Sequence, residues 1–146
     1  MCHNAVDRHL PERADQAALI FVSTETNEER VYSFRELHAE VQSMAASLKD
    51  LGVQKGDRVL IYVPMIAKAA FALLACTRIG AIHSVVFGGF ASGPLASRIE
   101  DAEPKVVISA DAGSRGGKPV AYKPLLDEAI RLSAYKPAAV LPVDRQ

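Results

Sequence analysis

The stretch Lys55-Gly56-Asp57-Arg58-Val59-Leu60-Ile61-Tyr62-Val63-Pro64-Met65 decides the fold. Lys55-Gly56-Asp57 turns the chain into a continuous apolar run at 59–63. An unbroken apolar run between turn residues reads as a strand covered on both faces, the usual state of a parallel sheet. Pro64 suits a helix start, and residues 65–79 read as a helix that is apolar nearly all round and therefore buried. Beyond it, 81–87 is another apolar run, broken by His83 and Ser84. Pro94 opens a helix with Leu95, Ile99 and Ala102 on one face, and 105–110 is a β-branched strand. Pro124 begins a further helix, and 138–143 is a last strand. The alternation predicts an α/β fold built as a right-handed parallel βαβ series.

Upstream of that stretch, residues 18–23 and 29–33 read as two strands around a turn at 25–28. Ser33 and Glu36 stand at the two positions of a capping box, and Tyr32 and Leu37 at those of a hydrophobic staple. Phe34, Leu37, Val41, Met44, Leu48 and Leu51 then recur at spacings of three and four, one face of a helix that Gly52 stops. The stripe is core packing. The predicted organisation is one domain over 1–146, with leading strands in 1–33 and βα units in 34–143.

Composition sets the outer bounds. With 49% apolar and 23% charged residues in 146, disordered tails, collagen-like repeats and disulfide scaffolds are excluded. Seventeen basic and seventeen acidic residues cancel, so no whole-protein field draws the chain to nucleic acid or to a membrane. Cys2 and Cys76 show no metal-like spacing; Cys76, in an apolar stretch, reads as a buried inert thiol. The first residues lack a signal-peptide pattern, and Lys68, Arg78 and several glycines break the apolar region 59–90 below the ~20 residues of a membrane span. The expectation is a soluble cytoplasmic protein.

In open parallel α/β sheets, ligands sit outside the carboxyl ends of the strands. Two segments are expected on that rim: Phe87-Gly88-Gly89-Phe90 and Asp111-Ala112-Gly113-Ser114-Arg115-Gly116-Gly117-Lys118. Adjacent glycines let a backbone approach a ligand and turn N–H groups toward it, while Arg115 and Lys118 add cationic donors suited to phosphate. Each segment also has a plain alternative, a tight strand-to-helix turn and a solvated surface turn. A P-loop ending at Gly117-Lys118 is excluded, because position 112 is Ala and 119 is Pro. The dinucleotide fingerprint and the nucleophile elbow are absent as well. His83 and Ser84 are no catalytic pair, since adjacent strand residues point to opposite faces, and His83 reads as a hydrogen-bonded core histidine. Glu28-Glu29 and Glu100-Asp101 read as solvated surface. The residues themselves thus predict a phosphate-bearing ligand on one rim and no complete catalytic set.

At these residues the chain resembles the short-chain acyl-CoA synthetases of the adenylate-forming superfamily. The likeness runs through Lys55 to Met65 and through Leu74-Ala75-Cys76-Thr77-Arg78-Ile79-Gly80-Ala81-Ile82-His83-Ser84-Val85-Val86-Phe87-Gly88-Gly89-Phe90, and covers nearly the whole chain. Residues 110–118 and 122–130 are most similar to the propionate-activating branch; acetate-activating relatives usually carry a second Arg where this chain has Lys118. The resemblance implies a flavodoxin/Rossmann-like subdomain, the incomplete N-terminal part of that superfamily's large domain. It implies two half-reactions: a short carboxylate and ATP give an acyl-adenylate and pyrophosphate, and coenzyme A then displaces AMP to give the thioester. Phe87, Gly88 and Gly89 would line the adenine and ribose of coenzyme A; Arg115, Gly116, Gly117 and Lys118 would hold its 3′-phosphate region. The superfamily's Ser/Thr/Gly-rich ATP loop, ribose aspartate, acyl pocket and adenylation lysine are not among these residues. ATP and Mg2+ would therefore bind elsewhere in the parent enzyme, and the expectation is an N-terminal fragment that does not catalyse alone. Two alternatives stay open: a self-contained flavodoxin-like module gripping a nucleotide or phosphate, and a structural half-domain that self-associates through exposed apolar surface.

Overall fold

A computed structural model describes residues 1–24, 26–115 and 117–144. Two short helices, α1 (Cys2–Ala5) and α2 (Leu10–Arg13), with a 3-10 turn between them, precede the hairpin strands β1 (Ala17–Ser23) and β2 (Glu28–Ser33). Then follow α3 (Phe34–Asp50), β3 (Arg58–Tyr62), α4 (Ala67–Ile79), β4 (Ile82–Val85), α5 (Ser92–Ala102) and β5 (Val106–Ala110). The hairpin strands β6 (Ala112–Arg115) and β7 (Lys118–Ala121), helix α6 (Tyr122–Leu132) and β8 (Ala139–Val143) complete the order.

The parallel sheet has the order β4-β3-β5-β8. Its first crossover runs to one side of β3 and its second to the other, so the direction of winding reverses at the carboxyl ends of β3 and β5. In doubly wound sheets a crevice opens at that place. Side chains of the two inner strands alternate between two cores. Val59, Ile61, Val106 and Ile108 pack with α3 and α4, while Leu60, Tyr62 and Val107 pack with α5 and α6. Fully burying a Leu such as Leu48 or Leu126 contributes roughly 1.5–3 kcal/mol, so the two layers together fix the plane of the sheet.

The capping box predicted for α3 is present: the Glu36 amide donates to Ser33 Oγ at 3.2 Å and the Ser33 amide to Glu36 Oε2 at 2.8 Å. Tyr32 and Leu37, the two staple positions, are both buried in the first core. Gly52, with φ +81°, ends that helix in the left-handed conformation expected of a helix stop.

Several expectations need correction. The helix after β3 starts at Ala67: the Ile66 amide bonds back to the Pro64 carbonyl at 2.8 Å, closing a tight turn at Met65, and Ile66 itself is extended. Its sides are nevertheless covered, since no residue of α4 is exposed. The strand expected at 81–87 spans only Ile82–Val85 and lies at an edge, where Ile82 and Val85 are exposed rather than covered on both faces. His83 is half-buried on that edge strand and is no core histidine. The segment 111–118, read as a loop, lies instead in an antiparallel hairpin that pairs 112–115 with 118–121. Exposed large apolar side chains include Ile20, Val22 and Val31 on the first hairpin and Met65, which the sequence placed at the start of a buried helix. Among the described residues no helix is long and apolar enough to cross a membrane.

Candidate functional site

The rim is built from the ends of three strands. β3 ends in Tyr62, which is fully buried and donates its phenol to the Phe90 carbonyl at 3.0 Å. That bond ties the loop 86–91, which follows β4, to the middle of the sheet. Burial pushes the Tyr62 phenol above its ordinary 10, with the charge of Tyr122 a smaller cause, so the donor keeps its proton across the neutral range. β5 ends at Ala110, and the Asp111 side chain accepts the Ala112 amide at 2.7 Å, starting the second hairpin.

That hairpin returns the chain so that Ala121 pairs with Ala112 and the Tyr122 amide donates to the Asp111 carbonyl at 3.1 Å. Tyr122 is thereby turned inward, 5% exposed, with its ring centroid 4.9 Å from that of Tyr62. Both rim segments reach this ring. A Cβ on Gly88 would lie 2.2 Å from Tyr122 Oη, and one on Gly113 would lie 2.4 Å from Tyr122 Cε2. Neither glycine has positive φ, so what each supplies is room and not a special backbone conformation. The role these two glycines show in the structure is to admit a tyrosine.

Phe87, in the first segment, is 69% exposed, an unusual position for a large aromatic. Its ring folds over Gly89, where a Cβ would come within 2.4 Å of it, and meets Phe90 edge-on at 6.1 Å between centroids. An exposed ring of this kind is a platform on which a planar heterocycle can stack.

In the second segment the backbone register pairs position 115 with position 118 at the end of the hairpin, and Lys118 is exposed. Gly117, with φ +76°, takes the left-handed conformation that a two-residue hairpin turn demands. Gly116 and the side chain of Arg115 lie outside the described residues.

The cations near the opposite end of the sheet serve structural partners. Lys105 Nζ reaches the Gly52 carbonyl at 2.5 Å and Asp57 Oδ2 at 3.2 Å, and Arg58 donates to the carbonyls of Ala102 and Glu103. The Asp57 carboxyl is held below its ordinary value, first by the Gln54 amide and then by Lys105. A surface concavity of about 540 Å3 lies far from this chemistry, between residues 10–16 and the side chains of Arg35 and His38. It touches neither rim segment, and the chemistry of exposed aromatic and cation points to the rim. Among the described residues, no group of three or more His, Cys, Asp or Glu side chains could hold a metal ion.

Two parts of the site were invisible in the residue pattern: the hairpin, and the tyrosine pair Tyr62 and Tyr122. The only local signal for the hairpin is Gly116-Gly117 between short runs, which is equally a loop signature. Tyr122 carries no signal of its own, since nothing local places Gly88 against it.

The sequence model of the family described as AMP-binding enzyme matches residues 6–142. The chain is 60% identical over 145 residues to the propionate–CoA ligase of Escherichia coli (strain K12), a span of 99% of this chain and 23% of that protein. It is 53% identical over 131 residues to the acetyl-coenzyme A synthetase of Methylobacterium radiotolerans, covering 90% of this chain and 20% of that protein. It is 47% identical over 146 residues to the mitochondrial acyl-CoA synthetase short-chain family member 3 of Bos taurus, covering 99% of this chain and 21% of that protein. The chain thus spans less than a quarter of the length of these relatives, all of them acyl-CoA ligases by name.

Proposed function

Since this chain belongs to the AMP-binding enzyme family, we propose that it supplies the coenzyme A surface of an ATP-dependent short-chain acid–CoA ligase, with propionate the favoured acid. The observation that carries the reading is the meeting, around one buried tyrosine, of an exposed aromatic segment and the base of a hairpin with two cationic positions at its tip. Phe87 stacks on the adenine, with Gly88 and Gly89 keeping the backbone close to the base and ribose. Arg115 and Lys118, flanking Gly116 and Gly117, hold the 3′-phosphate. Two cations at directly opposed hairpin positions repel, and a phosphate between them relieves that cost. Lys118 acts as a point charge without a planar fork, so Arg115 supplies the directional grip.

The reaction served is acyl-adenylate formation from the carboxylate and ATP, followed by attack of the coenzyme A thiol on the acyl carbon with release of AMP. Residues 1–33 lead into the βα units of 34–143, together the first part of the large domain. This chain's share is to bind and orient the thiol carrier; ATP, Mg2+ and the acyl group are held elsewhere, and the 146 residues alone form no thioester. The support for propionate is the likeness at 110–130 together with the 60% identity to a propionate–CoA ligase. The working compartment on this reading is the cytoplasm.

Titration of coenzyme A and 3′-dephospho-coenzyme A against the 146-residue chain tests the proposal. A charged hydrogen bond contributes about 1.5–3 kcal/mol, so coenzyme A should bind more tightly by about ten- to a hundredfold or more, and Arg115→Ala should shrink the difference to what the Lys118 charge supplies. Equal affinities, or no binding of either compound, would overturn the reading. Thioester formation from propionate, ATP and coenzyme A by this chain would overturn the division of labour.

A further inference from the structure

We propose that Tyr122 is a positioning residue, a wedge gripped at opposite edges by Gly88 and Gly113 that makes the two rim segments move as one unit; as a statement about coenzyme A, this rests on the function proposed above. The geometry is specific about which atoms do this. Gly88 faces the Oη, Cζ and Cε1 side of the ring, whereas Gly113 faces Cε2, Cζ and Cδ2. The ring also packs on Tyr62, and Tyr62 holds the Phe90 carbonyl of the first segment. A side chain that is 5% exposed offers a ligand almost no surface. Its effect on binding must therefore pass through the backbones it separates: the one carrying Phe87, and the one leading to Arg115 and Lys118. Close-packed interiors transmit such displacements and do not absorb them. A methyl group added on one side of the ring must either stay out or push the ring into the other segment.

The two edges make the proposal testable by selective rescue. Gly88→Ala conflicts chiefly with the phenolic oxygen, at 2.2 Å, so Tyr122→Phe, which deletes that oxygen, should relieve it. Gly113→Ala conflicts with Cε2, at 2.4 Å, an atom that Phe retains, so the same change should leave it unrelieved. Amide spectra of the ligand-free 146-residue chain report the coupling directly. Gly113→Ala should shift the amides of residues 87–90, and Gly88→Ala those of 112–115. In a Tyr122→Leu background both remote effects should vanish. With coenzyme A present, each glycine variant should weaken binding about tenfold or more, and Tyr122→Phe should restore at least half of that loss for Gly88→Ala only. Equal rescue of both glycine variants, rescue of neither, or remote shifts that persist without the ring would each overturn the wedge. If Gly113→Ala does not fold, Gly88→Ala with and without Tyr122→Phe decides alone, read as melting temperature and as remote amide shifts. Absence of coenzyme A binding by the wild-type chain would refute the proposed function while leaving the ligand-free test of the wedge intact.

Discussion

Removing one hydroxyl, by Tyr62→Phe, tests how the first rim segment is held. Tyr62 is fully buried, and its phenol donates to the Phe90 carbonyl at 3.0 Å. A typical intramolecular hydrogen bond contributes a net 0.5–1.5 kcal/mol, and leaving a buried acceptor bare costs about 1–3 kcal/mol. Phe90 is only half-buried, so water can reach its carbonyl and the lower range applies, about 1 kcal/mol. For a chain of 146 residues, an unfolding entropy of about 2.1 cal/mol/K per residue makes this a fall of about 3 °C in Tm. Urea melts should show a lower midpoint with an unchanged slope, because the surface exposed on unfolding is nearly the same. The distinguishing readout is local. If the bond pins the segment, hydrogen exchange at residues 87–90 should quicken about fivefold beyond the global change, 1 kcal/mol being a factor of about five. A lower midpoint with these amides unaltered relative to the rest of the sheet would refute the pinning role and leave the hydroxyl a core contact only. No change in either measurement would refute the bond.

Two other predictions concern the scaffold. Burial pushes the Cys76 thiol up to about 11 from an ordinary 9.0, so its neutral form stabilises the fold below about pH 9 and that contribution fades as pH rises toward 11. Wild-type stability should therefore fall between pH 8 and pH 10.5 by more than that of Cys76→Ala, whose neutral-pH stability is lower; equal falls in urea midpoint would contradict this. Gly80 closes α4 with φ +75°, and Gly80→Ala should cost about 1–2 kcal/mol by forcing a side chain into the left-handed region. Gly93, helical and with open space around its Cβ position, is the control: Gly93→Ala should be neutral or stabilise by up to about 1 kcal/mol, and thermal melts of the pair should diverge in sign or by at least ~1 kcal/mol.

Much of the fold could be read from local pattern. The capping box at Ser33 and Glu36, the apolar run at 59–63, and the strands ending at Ala110 and Val143 all appeared within a residue or two of where the pattern put them. Legibility failed where two local patterns compete. Ala81 to Phe87 is apolar enough for a long strand, yet its pairing ends at Val85 opposite Ile61, one residue before its single partner β3 ends. A glycine pair in a cation-bearing segment describes a loop and a hairpin turn equally well, and only the pairing of 112–115 with 118–121 separates them.

By itself the sequence determined the parallel βαβ series and singled out the carboxyl-end rim of its strands, because periodicity, caps and the position of a strand's carboxyl end are local properties. It also marked Phe87, Gly88, Gly89, Arg115 and Lys118 by residue type. Only the tertiary structure decided why Gly88 and Gly113 are glycines. Their Cα atoms lie against opposite edges of one buried ring, and that constraint joins positions 88, 113 and 122 through space. No pattern along the chain can express it, because the clash each glycine avoids is with an atom far away in sequence.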